Sequence, residues 1–99
     1  TGRLADGLAE IEKGLRLDPN SPKGQFNAGF VLSSLGREPE ALERYLEAIR
    51  LDATHVPARA NAAILLENRN RRSEALEQWR EVLRLDPNQP DYEGLAPRE

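Results

Sequence analysis

Residues 22–55 read PKGQFNAGFVLSSLGREPEALERYLEAIRLDATH, and the pattern then begins again. Displacing the sequence by 34 positions lays Ala41-Leu42-Glu43 on Ala75-Leu76-Glu77, Arg50-Leu51-Asp52 on Arg84-Leu85-Asp86, and Asn27-Ala28 on Asn61-Ala62. In the other direction Leu15-Arg16-Leu17-Asp18 falls on Ile49-Arg50-Leu51-Asp52. A fixed period without insertions marks a stacked repeat, in which each unit is one supersecondary element that buries its apolar face only against its neighbours. Such an architecture points to binding rather than chemistry.

The chain of 99 residues is long enough for one compact domain, but its core is small and every stacking face counts. The formal net charge is -3, with 31% charged residues of both signs interspersed, which argues against a general nucleic-acid or membrane binder. There is no cysteine, which excludes disulfides, thiolate metal sites and cysteine nucleophiles and leaves the compartment open. No apolar run approaches the length of a membrane span.

Local signals place the helices. Leu4, Leu8, Ile11 and Leu15 recur at helical spacing from about Arg3 to Leu17, with Glu12 before Arg16 and Glu10 before Lys13 on the charged side, until Asp18-Pro19 stops the helix. Ser21 as N-cap and Pro22 as first residue predict a second helix to about Leu35, closed by Gly36. After a tight hairpin, Pro39 begins a third helix reaching about Leu51, with Ala41, Leu42, Tyr45, Ala48 and Ile49 facing inward and Glu40–Arg44 and Glu47–Arg50 pairs outside. Thr54 or His55 opens a fourth helix from Val56 to about Arg69, with Asn70 in place of the turn glycine. Ser73 is then expected to cap a fifth helix to Leu85, buried through Ala75, Leu76, Trp79, Val82 and Leu83. Gly94 and Pro97 prevent another full helix, so residues 90–99 read as a short capping tail in which Tyr92 and Leu95 cover the last helix.

At these residues the chain resembles the tetratricopeptide repeat (TPR) family. The length of 34, the small Ala28-Gly29 and Ala62-Ala63 where paired helices cross, and Ala41 and Ala75 opening each second helix fit that motif. So do the aromatics Tyr45 and Trp79, the small Ala48, and the closing Leu17-Asp18-Pro19 and Leu85-Asp86-Pro87. The matches run through the whole chain in one register. Gln25 and Arg59 depart from it, standing where the family often has tryptophan; Ala53 replaces its closing proline, and Gly7 and Gly14 replace alanine. The resemblance implies an all-α, right-handed superhelical stack of helix-turn-helix repeats forming one domain over residues 1–99. Residues 1–21 would be the second helix of a truncated repeat, and residues 22–55 and 56–89 two full repeats. The stripe Leu4, Leu8, Ile11 and Leu15 would then lack its own partner helix. Burying each such side chain is worth about 1.5–3 kcal/mol, so the row is a candidate self-association face.

In this family the first helices of successive units line a concave groove that holds a peptide or helix of a partner protein. Here that implies a groove formed by Lys23, Phe26, Phe30, Ser33 and Ser34 from one unit and Pro57, Ala60, Asn61, Ile64, Glu67 and Asn68 from the next. Phe26 and Phe30, one turn apart, are either its aromatic anchors or buried core, and the spacing alone leaves both readings open. Some members clamp the carboxylates of a chaperone's C-terminus with a lysine and asparagines. Phe26 and Phe30 occupy the places of the first lysine and asparagine, and only Asn61, and arguably Asn27, fits, so no such clamp is expected. Each asparagine also reads as a surface amide bonded to neighbouring backbone.

The remaining candidates are weak. His55, the single histidine, sits in a loop without converging ligands and reads as a solvated or capping residue. Arg69, Arg71 and Arg72 form the one basic patch, diluted by Glu67 and Glu74, and three charges give only salt-sensitive nucleic-acid affinity. No phosphate loop, nucleophile with a base at hand or metal-ligand spacing is present, so neither catalysis nor a cofactor is expected. The expected function is a protein–protein interaction module acting through the groove. Self-association, or a non-catalytic repeat segment of a larger enzyme such as a transferase, are the alternatives; no nucleic-acid or membrane partner is expected.

Overall fold

The computed structural model describes residues 2–87, and every regular element among them is an α-helix. These are α1 (Gly2–Leu17), α2 (Pro22–Ser34), α3 (Glu38–Leu51), α4 (Val56–Asn68) and α5 (Arg72–Leu85). The expected tail contacts of Tyr92 and Leu95 lie outside the described residues. Helices adjacent in sequence pack on one another in turn, α1 on α2, α2 on α3, α3 on α4 and α4 on α5.

The punctuation repeats with the sequence. Ser21 caps α2 by accepting from the Gly24 amide at 2.9 Å, and His55, 34 positions on, caps α4 by accepting from the Ala58 amide on Nδ1 at 3.2 Å. Each hairpin turns on a left-handed residue, Gly36 with φ 80° and Asn70 with φ 61°. The amides that follow, Arg37 and Arg71, reach back to the carbonyls of Leu32 and Leu66 at 2.9 Å, which satisfies groups the helix ends leave open. Between units, Asp18 accepts from the Asn20 amide and Asp52 from the amide and hydroxyl of Thr54.

One core cluster crosses the unit boundary. Leu32, Ala41, Leu42 and Tyr45 of one hairpin meet Ala62, Leu65, Leu66 and Ala75 of the next in one buried cluster, and Leu8 of α1 packs against it. A second cluster joins Ala60 and Ala63 to Trp79 and Val82. Close crossing of α2 and α3 depends on Gly29, where an added Cβ would lie 2.8 Å from ring carbons of Tyr45 and 3.2 Å from the Ala41 carbonyl oxygen.

Several sequence expectations give way to packing. Ser73 does not cap α5: the helix starts at Arg72, and the N-cap residue Arg71 makes no side-chain cap bond and instead holds Glu74 in a two-pronged ion pair. Arg37 and Glu40 do the same at the start of α3. Leu83 is 38% exposed rather than buried, because the α5 contact face is completed by Val82. The pairs Glu12–Arg16 and Glu40–Arg44 do not form, since Arg44 crosses between helices to Glu12 at 2.8 Å.

That crossing explains the positions where tryptophan was expected. Gln25 is buried, donates to the Pro19 carbonyl at 3.2 Å and accepts from Arg44 at 3.3 Å. In the next unit Arg59 donates to the Ala53 carbonyl and to Gln78, both at 2.8 Å. The arginine–glutamine bridge is thus kept in both units with its ends exchanged.

Candidate partner-binding groove

Helices α2 and α4 each bury one side and leave the other to line a shared concavity. Phe30, Ser33 and Ser34 of α2 and Asn61, Ile64 and Leu65 of α4 surround a cleft of about 220 Å³, with Tyr45 also lining it. Phe30 is 56% exposed. A phenylalanine left in water at a concave surface forgoes the stabilisation that burial gives, so its place is not explained by the core.

The polar groups around the cleft differ in how far they are engaged. The Ser34 hydroxyl donates to the Phe30 carbonyl at 3.0 Å, a bond within its own helix. Asn61 reaches the Tyr45 hydroxyl at 3.4 Å, longer than a well-formed hydrogen bond. The expectation that Asn61 bonds neighbouring backbone is corrected accordingly, because Tyr45 brings a hydroxyl to its amide. Burial pushes the Tyr45 phenol above its ordinary pKa and the Asn61 bond pulls the other way, so the hydroxyl is neutral at pH 7. Among the described residues no carboxylate, lysine or arginine lines the cleft.

The other expected groove residues are distributed differently. Phe26 is half-buried, packed on Tyr45 with ring centroids 5.6 Å apart and on His55 at 5.1 Å, and does not line the cleft. The two phenylalanines therefore divide, one onto the core and one onto the surface. Glu67 accepts from the indole Nε1 of Trp79 at 3.1 Å. Lys23 and Asn68 are exposed at the first turn of α2 and the last residue of α4, and neither lines the cleft. Tyr45 and Leu65 were missed as lining residues because inward periodicity assigned Tyr45 to the core. Its signal was chemical, since a tyrosine at a repeated core position needs a partner for its hydroxyl.

The α1 stripe is likewise uneven: Leu15 is buried, Leu8 packs against the core, and Leu4 and Ile11 are half-buried. Among the described residues no cluster of potential metal ligands occurs, and no helix is long and apolar enough to cross a membrane.

No family model and no curated protein matches the chain. Solved structures do. The first TPR of Spaghetti (RPAP3) bound to the HSP90 peptide SRMEEVD has a TM-score of 0.85 at 21% identity, over 91% of this chain and 71% of that one. The Yersinia enterocolitica type III secretion chaperone SycD, in complex with a peptide of the translocator YopD, has a TM-score of 0.81 at 19% identity, over 95% and 72%. YrrB, a TPR protein with an unusual peptide-binding site, has a TM-score of 0.78 at 23% identity; the match takes in 89% of this chain but only 45% of YrrB. Helix hairpins at a period of 34, with this similarity over about nine-tenths of its length, give the chain the fold of the tetratricopeptide repeats, an all-α superhelix.

Proposed function

We propose that the protein is a non-catalytic interaction module that holds a peptide or helix of another protein in the cleft between α2 and α4. The observation that carries this reading is the exposed Phe30 beside Ile64 and Leu65, at a concave site with an incompletely bonded asparagine and no charged wall. The apolar side chains would take an aliphatic or aromatic residue of the ligand, and Asn61, with Ser33, would pair with its backbone. The similar folds described with peptide sites support the general reading. Their ligands do not transfer: an acidic peptide such as SRMEEVD would meet no basic group in this cleft.

Peptide display against the immobilised 99-residue chain tests the reading. Selected sequences should carry an aromatic or aliphatic residue, bind Phe30→Glu at least about tenfold more weakly, a loss of about 1.4 kcal/mol, and outcompete SRMEEVD. Selected binders that are indifferent to Phe30→Glu, while that variant keeps its helical spectrum, would overturn it.

A further inference from the structure

The caps of the two first helices are alike in geometry and unlike in chemistry. Ser21 and His55 stand 34 positions apart, and each accepts from the amide three residues on, Gly24 at 2.9 Å and Ala58 at 3.2 Å. The serine oxygen accepts whatever the pH. The imidazole accepts only while Nδ1 is unprotonated. Once both ring nitrogens carry protons, Nδ1–H faces the Ala58 N–H, and a full positive charge sits at the positive end of α4. Ring rotation gives no relief, because the other nitrogen is then a donor too. A proton taken up in the range where histidine changes charge therefore drives the side chain off the cap.

A second seat lies beside it. The His55 amide donates to the Asp52 carbonyl at 3.1 Å, which closes one turn of chain between the two residues. Both bonds from Thr54 go to Asp52 Oδ1, so among the described residues Oδ2 is open to a donor. The Thr54 hydroxyl and amide, with a smaller contribution from His55, hold the Asp52 carboxyl below the ordinary carboxylate range, and it remains an anion where histidine titrates. The other charged groups nearby do not compete for Oδ2. Arg59 of α4 is turned to the Ala53 carbonyl and Gln78, and Lys23 of α2 is exposed one turn before Phe26. The group that α2 sets against His55 is the Phe26 ring, with centroids 5.1 Å apart.

Movement of the imidazole reaches the cleft. Phe26 packs on both His55 and Tyr45, Tyr45 meets Asn61 at 3.4 Å, and Tyr45 and Asn61 line the cleft. Asn61 also lies about one turn beyond Ala58 on α4. We infer that His55 is a proton-operated latch on the cleft. Neutral, it caps α4 and backs Phe26; protonated, it moves to Asp52, the first turn of α4 loosens, and the contacts from Phe26 through Tyr45 to Asn61 slacken. The unfolded chain takes up the proton freely, whereas the capped chain must give up a bond to do so. The stability that the cap contributes is thus present above the histidine range and lost as pH falls through it. The pair gained with Asp52 lies at the surface, where solvent screens it, and offsets only part of that loss.

An NMR titration of the ligand-free 99-residue chain from about pH 8 to about pH 5 tests the latch. The His55 ring protons, the Ala58 amide, the Tyr45 ring and the Asn61 side-chain amide should move with one midpoint. Ala58 should lose most of its exchange protection below that midpoint, while the Gly24 amide on Ser21 keeps its own. His55→Asn and His55→Ser supply acceptors that do not titrate. Both should keep Ala58 protected at about pH 5, and over the same interval both should lose less melting temperature than the wild type. Carboxylates titrate alike in all three chains and cancel in the comparison. Asp52→Asn removes the second seat, so the transition should need a lower pH. The consequence for a ligand rests on the groove reading. A display-selected peptide should bind the wild type at least about threefold more weakly at about pH 5.5 than at about pH 7.5, and His55→Asn equally at both. Failure to select any peptide would count against the groove alone, because the ligand-free titration still decides the latch. An Ala58 amide that stays protected through the His55 titration, cleft signals that do not follow it, or equal wild-type affinity at both pH values would overturn the inference. So would a wild type that gains stability relative to His55→Asn as pH falls, the result expected if the Phe26 ring held the imidazolium in place.

Discussion

At Gly29 helix propensity and packing act in opposite directions. Alanine in a helix interior is better than glycine by about 1 kcal/mol, but overpacking a tight contact costs about 1–3 kcal/mol. The Tyr45 ring and the Ala41 carbonyl both stand where the new methyl would go, and the carbonyl is backbone that has little room to yield. Gly29→Ala should therefore lower stability by about 1–2 kcal/mol in a urea titration. A more stable variant would place the helices further apart than described. Tyr45 carries a second test, through pH. Burial raises its folded-state pKa above the ordinary value of about 10. Its contribution is thus fully present below about pH 10 and is lost as pH rises through the folded-state value, because the unfolded chain releases the proton first. Melting temperature should fall more steeply above about pH 10 in the wild type than in Tyr45→Phe. Equal slopes would show that the phenol is as easily ionised folded as unfolded.

Each helix hairpin is closed by one aromatic residue from its second helix, Tyr45 in α3 and Trp79 in α5. Trp79 is 0% exposed, and truncation of such a residue costs about 3–5 kcal/mol, against a total of about 5–15 kcal/mol for a domain. Trp79→Ala should lose cooperative thermal melting by circular dichroism or melt far lower; a midpoint within a few degrees of wild type would contradict its burial. At this scale the sequence was largely legible, because the signals are local: a proline or capping residue at each first helix, a left-handed Gly36 or Asn70 at each turn, and apolar spacing between. What was not legible depended on residues distant in the chain. Ser73 had the chemistry of a cap, but Arg71 and Glu74 close that end. Arg44 had Glu40 one turn away and pairs with Glu12, 32 residues before it. Phe26 and Phe30 share a face and a spacing, and only the rings of Tyr45 and His55 from other segments draw Phe26 inward and leave Phe30 out.

Over the whole molecule, stacking separates what holds the fold from what is offered to a partner. The core lies both within and between the hairpins, and the cleft proposed to hold a peptide lies between the two first helices α2 and α4, where Phe30 is exposed and belongs to neither core cluster. Phe30→Glu should consequently keep the wild-type melting temperature within a few degrees while weakening a selected peptide; unfolding of this variant would assign Phe30 to the core. A cleft between the first helices followed from the repeat, but its lining did not, because six of the eleven expected residues, Lys23, Phe26, Pro57, Ala60, Glu67 and Asn68, do not line it, Ala60 being buried against Trp79 instead. The most direct test of the central claim is a map of backbone amide shifts as a display-selected peptide is titrated into the labelled chain. The account predicts that the largest changes fall on Phe30, Ser33, Ser34, Asn61, Ile64 and Leu65 and saturate together. Changes centred on the outer face of α3 and α5, around Leu46, Arg50 and Arg80, with the cleft residues unmoved, would contradict it.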